Sequence, residues 1–197
     1  MIGVIDYGAG NVGSVLRAIQ YLGFPARAIQ DAQSLPETSK IVLPGQGHFG
    51  AMMESLQERG MIEPLRSHID AGKPFLGICL GLQALYEASD EAPNSAGFGL
   101  LPGRVKRFEG IFKIPHLGWN QLDIRRHEGL FRGVPTGSFA YFCHSYYGPV
   151  IPEAAAVTEY GQSFAAAIEM GPVAAVQFHP EKSGDVGLKV LENFLKG

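Results

Sequence analysis

The chain reads as an α/β protein, with a mostly parallel central sheet, helices on both of its faces, and an antiparallel strand section in the C-terminal half. Three observations predict this. The first eighty residues hold four short apolar runs with helical periodicity among them, the pattern of strands covered on both faces. After about residue 96 the runs become short, aromatic and β-branched, punctuated by Gly or Pro, which predicts strands, several of them antiparallel. The length of 197 residues, 46% hydrophobic and 18% charged, suits one compact domain over residues 1–197. A chain of this size buries roughly 70% of its unfolded surface, so neither a disulfide nor a metal is needed to hold it together.

The first run, "MIGVID", ends at Asp6 and gives way to the turn "YGAGN". Val12, Val15, Leu16, Ile19 and Leu22 then recur at helical spacing until Gly23, which makes a strand, a loop and a helix. "ARAIQ" and "KIVLPG" are the next strands, the second stopped by Pro44-Gly45. Residues 49–70 carry helical spacing with a weak point near Gly60, and "GKPFLGIC" is a further buried strand opening a helix. In the second half "GFGLLPGRVKRF", "KIPHLGWNQLDI", "FAYFCHSYY", "AAAVTEY", "SFAAAIEMG" and "VAAVQFHPE" are strands. "SGDVGLKVLENFLKG" closes the chain as a helix with Ser183 or Asp185 as its cap.

Composition excludes several classes of function. The net charge is −3 and there is no long basic run, so nucleic acid and acidic membranes are poor partners. No segment approaches the ~20 apolar residues of a membrane span. The start, "MIGVIDYGAGN", has an acid and a glycine turn where a signal peptide would be apolar, which predicts a cytoplasmic protein with Cys79 and Cys143 both reduced. There is no G-x-x-x-x-G-K-[ST] phosphate loop and no zinc spacing among the cysteines and histidines, so no cofactor or metal is expected.

Gly77-Ile78-Cys79-Leu80-Gly81 has the form G-x-nucleophile-x-G at the end of a strand. Flanking glycines permit the close approach and strained turn that expose a nucleophile, and free N–H groups at a helix start favour a thiolate. A buried cysteine in an ordinary strand–turn–helix unit fits the same five residues. A nucleophile needs a base, and the base an orienting group. Of six histidines, His179 ends the apolar strand "VAAVQFHPE", and Glu181 stands two residues on, on the same face if the backbone is extended. A solvated strand end is the competing reading. "VLPGQGHFG" supplies a glycine-rich turn after a neighbouring strand, either a plain loop or a set of N–H groups for a developing oxyanion.

Taken together, these segments resemble the class I glutamine amidotransferases, whose triad runs Cys, His, Glu along the chain. "IGVIDYGAGNVGSVLRAIQYLG", "VLPGQGHFG", "GICLGLQAL", "PHLGWNQL", "FCHSYY" and "QFHPEKSG" resemble, within that family, the glutaminase subunits of imidazole glycerol phosphate synthases. The resemblance implies the class I amidotransferase fold, with Cys79 as nucleophile, His179 as general base and acid, and Glu181 orienting it. It implies oxyanion donors at Leu80 and in the turn Gly45-Gln46-Gly47, and glutamine contacts at Gln83, Glu91, Ser145 and Tyr146. The implied partner is a (β/α)₈-barrel cyclase subunit in a heterodimer, docked around Asn11, Trp119, Asn120, Tyr141 and Lys182. Two departures stand out. Gln46 and His48 replace small or apolar residues of the family's loop, and Cys143 replaces the usual valine before "HSYY", where it reads as a core residue. Alternatives that the same residues allow are a glutaminase serving pyridoxal phosphate or anthranilate synthesis, and a noncatalytic scaffold subunit.

Overall fold

The computed structural model describes residues 1–197. Strand β1 (Ile2–Ile5) leads through a loop to helix α1 (Val12–Tyr21), then to β2 (Ala26–Ile29) and β3 (Lys40–Gly45). Helices α2 (Phe49–Glu58) and α3 (Ile62–Asp70) precede β4 (Phe75–Cys79). The weak point near Gly60 is a full break between two helices, with Gly60 at φ +62°, a conformation that costs glycine little. β3 does not stop at Pro44-Gly45. It runs through both, pairing Pro44 with Ile78 and Gly45 with Cys79, while β1 pairs with it only as far as Val42. Proline is tolerated because its missing N–H falls where the other edge is no longer paired.

After Cys79 the helix is a single turn, α4 (Leu80–Gln83), and the chain enters β5 (Tyr86–Ser89). The C-terminal half adds β6 (Leu101–Arg107), β7 (His116–Gln121), β8 (Asp123–Ile124), β9 (Phe139–His144), β10 (Tyr146–Tyr147), β11 (Ala154–Glu159), β12 (Ser163–Met170) and β13 (Val173–Val176). Helix α5 (Gly184–Lys196) ends the chain. Ser183 occupies its N-cap position without capping through the side chain. The hydroxyl instead donates to the His179 carbonyl at 2.7 Å and accepts the Tyr141 N–H at 2.9 Å, tying three segments together.

The main sheet has eight strands in the order β2-β1-β3-β4-β13-β12-β11-β8. The first five are parallel and the last three antiparallel. Alternate strand residues feed two cores. Val4, Val42, Leu76 and Val176 pack against α1 and α5 on one side. Ile5, Leu43, Phe75 and Ala175 pack against α2 and α3 on the other. β7 and β9 form a separate antiparallel ribbon, and β10-β6-β5 a third small sheet. β1, β3, β4 and β13 run parallel, so their carboxyl ends gather on one edge, and the chain reverses its winding there, between β1 and β3. That edge is where open α/β sheets bind ligands.

Candidate active site

Cys79 is the last residue of β4 and the only non-glycine residue at positive φ, with φ 54° and ψ −106°. Such strain persists only where surroundings enforce it. Here backbone enforces it. A Cβ on Gly81 would lie 2.0 Å from the Leu43 carbonyl oxygen, and one on Gly77 would lie 2.6 Å from that of Gly81. Neither position admits a side chain, so strand and one-turn helix interlock around the cysteine.

β13 lies beside β4 in parallel register, with Val176 opposite Ile78, and it delivers His179 to the same edge. His179 Nδ1 meets Glu181 Oε1 at 2.8 Å, both side chains being 1% exposed. Nε2 is buried without a bond of ordinary geometry, leaving it for the Cys79 sulfur. Burial alone would lower the His179 pKa; the Cys79 charge and hydrogen bond, then Glu181, reverse this and push it up to about 10. Burial likewise opposes ionisation of Glu181, but the bonds to His179 and Asn11 hold its carboxyl below the usual range. Asn11 stands at the N-cap position of α1 yet makes no cap bond with its side chain. It donates to Glu181 Oε1 at 3.0 Å instead.

On the other side of the sulfur is a cavity of about 360 Å³ whose lining includes Gln46, Gly47, Leu80, Gln83, Glu91, Ser145 and Tyr146. Apart from Gly45, buried just behind the turn as the last residue of β3, every residue expected to hold the oxyanion or the glutamine is in that wall. Glu91 Oε2 accepts the first N–H of α2, Phe49, at 2.8 Å. The Gln46 N–H is engaged at rest by the Tyr7 hydroxyl at 3.2 Å, and burial pushes that phenol up to about 12. His48 caps α2 by accepting the Gly50 N–H at 3.1 Å, a local use for a residue that departs from the family's loop. The β1–α1 loop also spells G-x-G-x-x-G over residues 8–13, the spacing of a dinucleotide-binding turn. The ground above it is taken: a Cβ on Gly10 would meet the Tyr7 hydroxyl at 3.5 Å and the Gln46 nitrogen at 3.9 Å. No group of three His, Cys, Asp or Glu is placed to hold a metal ion.

The residues expected at a partner interface divide. Trp119 and Tyr141 sit opposite each other on the β7–β9 ribbon, their rings 6.0 Å apart. Leu117 pairs with Cys143 and Gln121 with Phe139 on the same outward face. Leu117, Trp119 and Phe139 are 61%, 56% and 50% exposed, so the ribbon presents an apolar ladder. Cys143 is exposed there rather than in the core. Asn120 points the opposite way, inward, donating to the Glu159 carbonyl at 3.0 Å. Lys182 is exposed and makes no ion pair, and Asn11 is half-buried against Glu181. Sequence reasoning missed Leu117, Phe139, Tyr7 and Gln177, whose amide donates to the Cys79 sulfur at 3.5 Å.

A strained cysteine facing a buried imidazole–carboxylate pair, on the ligand edge of a parallel sheet, defines a cysteine amidase of the amidotransferase kind. The family model for "Glutamine amidotransferase class-I" matches residues 3–197, and the chain belongs to that family and, inside it, with the subunits called HisH. "Imidazole glycerol phosphate synthase subunit HisH" of Syntrophotalea carbinolica is 45% identical, over 98% of each chain. Its namesake from Aquifex aeolicus is 47% identical over 97% of this chain and 94% of its own. Among solved structures, "Structure of PurLQS from Thermotoga maritima" matches with a TM-score of 0.78 at 20% identity, covering 99% of this chain and 97% of the other. A "Crystal structure of glutamine amidotransferase" gives 0.77 at 21%, with the same coverage. At such identities these two speak for the fold.

Proposed function

We propose that this chain, as a single domain over residues 1–197, is the glutaminase of an imidazole glycerol phosphate synthase in histidine biosynthesis. The observation that carries the reading is the meeting of Cys79, His179 and Glu181 beside the 360 Å³ cavity. The Cys79 thiolate attacks the carboxamide carbon of glutamine. His179, holding the proton, gives it to the departing nitrogen, and a glutamyl thioester remains on Cys79. Water, deprotonated by the same imidazole, then releases glutamate. Glu181 keeps Nδ1 of that imidazole as the donor side. An amide is a weak electrophile, so donors for the tetrahedral oxyanion are decisive; losing one typically costs about 100- to 1,000-fold. The Leu80 N–H and the 45–47 turn are the donors in this reading. Gln83, Glu91, Ser145 and Tyr146 hold the substrate.

Ammonia is a nucleophile only while unprotonated, so it needs a sealed route to a second site. The partner in this reading is a (β/α)₈-barrel cyclase forming imidazole glycerol phosphate and aminoimidazole carboxamide ribotide. The ladder of Leu117, Trp119, Phe139 and Tyr141, with Asn11 and Lys182 on the rim of the triad, supports docking over the mouth of the site. No helix is long and apolar enough to cross a membrane, and the reading places the enzyme in the cytoplasm. The 45–47% identity to HisH subunits favours this synthase over those of pyridoxal phosphate or anthranilate. The test is Cys79→Ala mixed with the cyclase: glutamine-driven synthesis disappears while added ammonium salt still supports it. Loss of both activities would count against the assignment.

A further inference from the structure

Six side chains and one carbonyl form a continuous hydrogen-bonded chain from the β7–β9 ribbon to the nucleophile. Asn120 Nδ2 donates to His116 Nε2 at 3.2 Å and to the Glu159 carbonyl at 3.0 Å. His116 Nδ1 meets His144 Nε2 at 3.0 Å, and His144 Nδ1 meets the Tyr146 carbonyl at 2.8 Å. On the far side of that carbonyl, Gln83 Nε2 donates to it at 2.9 Å and to Gln177 Oε1 at 3.1 Å. Gln177 Nε2 then reaches the Cys79 sulfur at 3.5 Å.

The direction of every link is fixed by groups that have no choice. A backbone carbonyl only accepts, so His144 Nδ1 and Gln83 Nε2 carry the hydrogens that point at Tyr146. His144 Nε2 is therefore an acceptor, His116 Nδ1 a donor, and His116 Nε2 an acceptor for Asn120. The other end agrees independently, since Asn120 Oδ1 accepts the Gln121 N–H at 2.8 Å and its nitrogen must face Glu159. Both imidazoles are neutral. Burial lowers the His116 pKa to about 4, and burial with the neighbouring imidazoles lowers that of His144 to about 3, against the bond to Tyr146. His116 is stacked between Phe142 and Tyr160, which keeps water from the pair. Gln83, with its nitrogen committed twice, leaves Gln177 only one orientation, oxygen inward and nitrogen toward sulfur.

We propose that Gln177 is a further catalytic residue, donating its amide N–H to the Cys79 sulfur, and that His144 and His116 are positioning residues that hold this orientation through the Tyr146 carbonyl and Gln83. The proposal rests on the glutaminase reading for its purpose, and on these contacts alone for its content. A thiolate gains from the donor; were Gln177 to flip, it would meet carbonyl oxygen instead.

The test is the pH dependence of Cys79 alkylation by iodoacetamide in the full-length chain, read by mass spectrometry on the Cys79 peptide because exposed Cys143 also reacts. The ionisable groups around the sulfur are His179 and Tyr7, with Glu181 beyond His179 and with Glu91 and His144 in the wall of the same cavity, and Gln177 variants leave all of them in place. Gln177→Leu moves the curve to higher pH by about one unit, the size of one hydrogen bond to a charged group. Gln177→Glu, close in shape and able to serve if the leucine variant does not fold, moves it at least as far. His144→Leu shifts the curve the same way, and His144→Asn, which keeps a donor toward Tyr146, restores it. The double variant His144→Leu/Gln177→Leu matches Gln177→Leu alone, because the histidine acts through the glutamine. An unmoved curve in both Gln177 variants, an unmoved curve in His144→Leu, or additive shifts in the double variant would overturn the proposal. Glutamine hydrolysis by the unaltered chain, and its loss in Cys79→Ala, judge the glutaminase reading separately.

Discussion

Replacing Cys79 with alanine should change the proton affinity of a residue a hundred positions away. His179 is 1% exposed, and its pKa stands at about 10 instead of 6.5. That rise corresponds to roughly 5 kcal/mol of preference for the imidazolium. Burial works against it, so anions supply all of it, Cys79 ahead of Glu181. An opposite charge within about 4–6 Å typically shifts a pKa by about 1–3 units, and removing the sulfur should lower His179 by that amount. The sign for stability follows. A folded pKa above the unfolded value of about 6.5 gives a contribution that is complete below that pH and is lost as pH rises through about 10. In Cys79→Ala the loss begins at the same pH, about 6.5, but the contribution is smaller and is exhausted at a lower pH, because only the folded pKa has moved. The assay is an imidazole ¹⁵N titration of both proteins between pH 5 and about 11, with His179 assigned through His179→Gln. Superimposable titrations would refute the argument, since a thiol that leaves the imidazole indifferent is not its partner.

Two further outcomes test other parts of the molecule. Gly81→Ala places a Cβ against the Leu43 carbonyl and should cost about 1–3 kcal/mol as overpacking, lowering the calorimetric melting temperature by several degrees and abolishing glutamine hydrolysis; an unchanged melting curve would mean that the elbow yields easily. Trp119→Ala, at 56% exposure, should leave the melting temperature alone yet weaken titrated binding to the cyclase by about 30-fold, the ~2 kcal/mol of an interface anchor; equal affinity would put the docking face elsewhere.

Much of this was legible in the sequence because it rests on local pattern. Apolar runs located β1, β3, β4 and β13, and the glycines around Cys79 are demanded by backbone contact, so they announce themselves. Strand β5 was hidden because Leu82, Leu85 and Tyr86 continue a helical spacing. Long-range pairing overrides it: Phe98 N bonds the Ala84 carbonyl at 2.7 Å and pulls the chain out of the helix after one turn. Gln177 gave no local signal, since its place beside Cys79 follows from the adjacency of β13 and β4, strands about a hundred residues apart. Asn120 was different. Neighbours in a strand face opposite ways, so Trp119 outward already implied Asn120 inward, and His116 on its side.

The elbow has no side chain to trim. Gly77 and Gly81 bring main chain against main chain, and Gly45 abuts the Leu80 Cβ and the Gly81 nitrogen, so the sulfur's location is set by peptide planes and a Cβ whose dimensions few substitutions alter. Whatever adjusts this catalyst, in evolution or in the hands of an engineer, must act on the walls facing the sulfur, because the pedestal beneath it can only be broken.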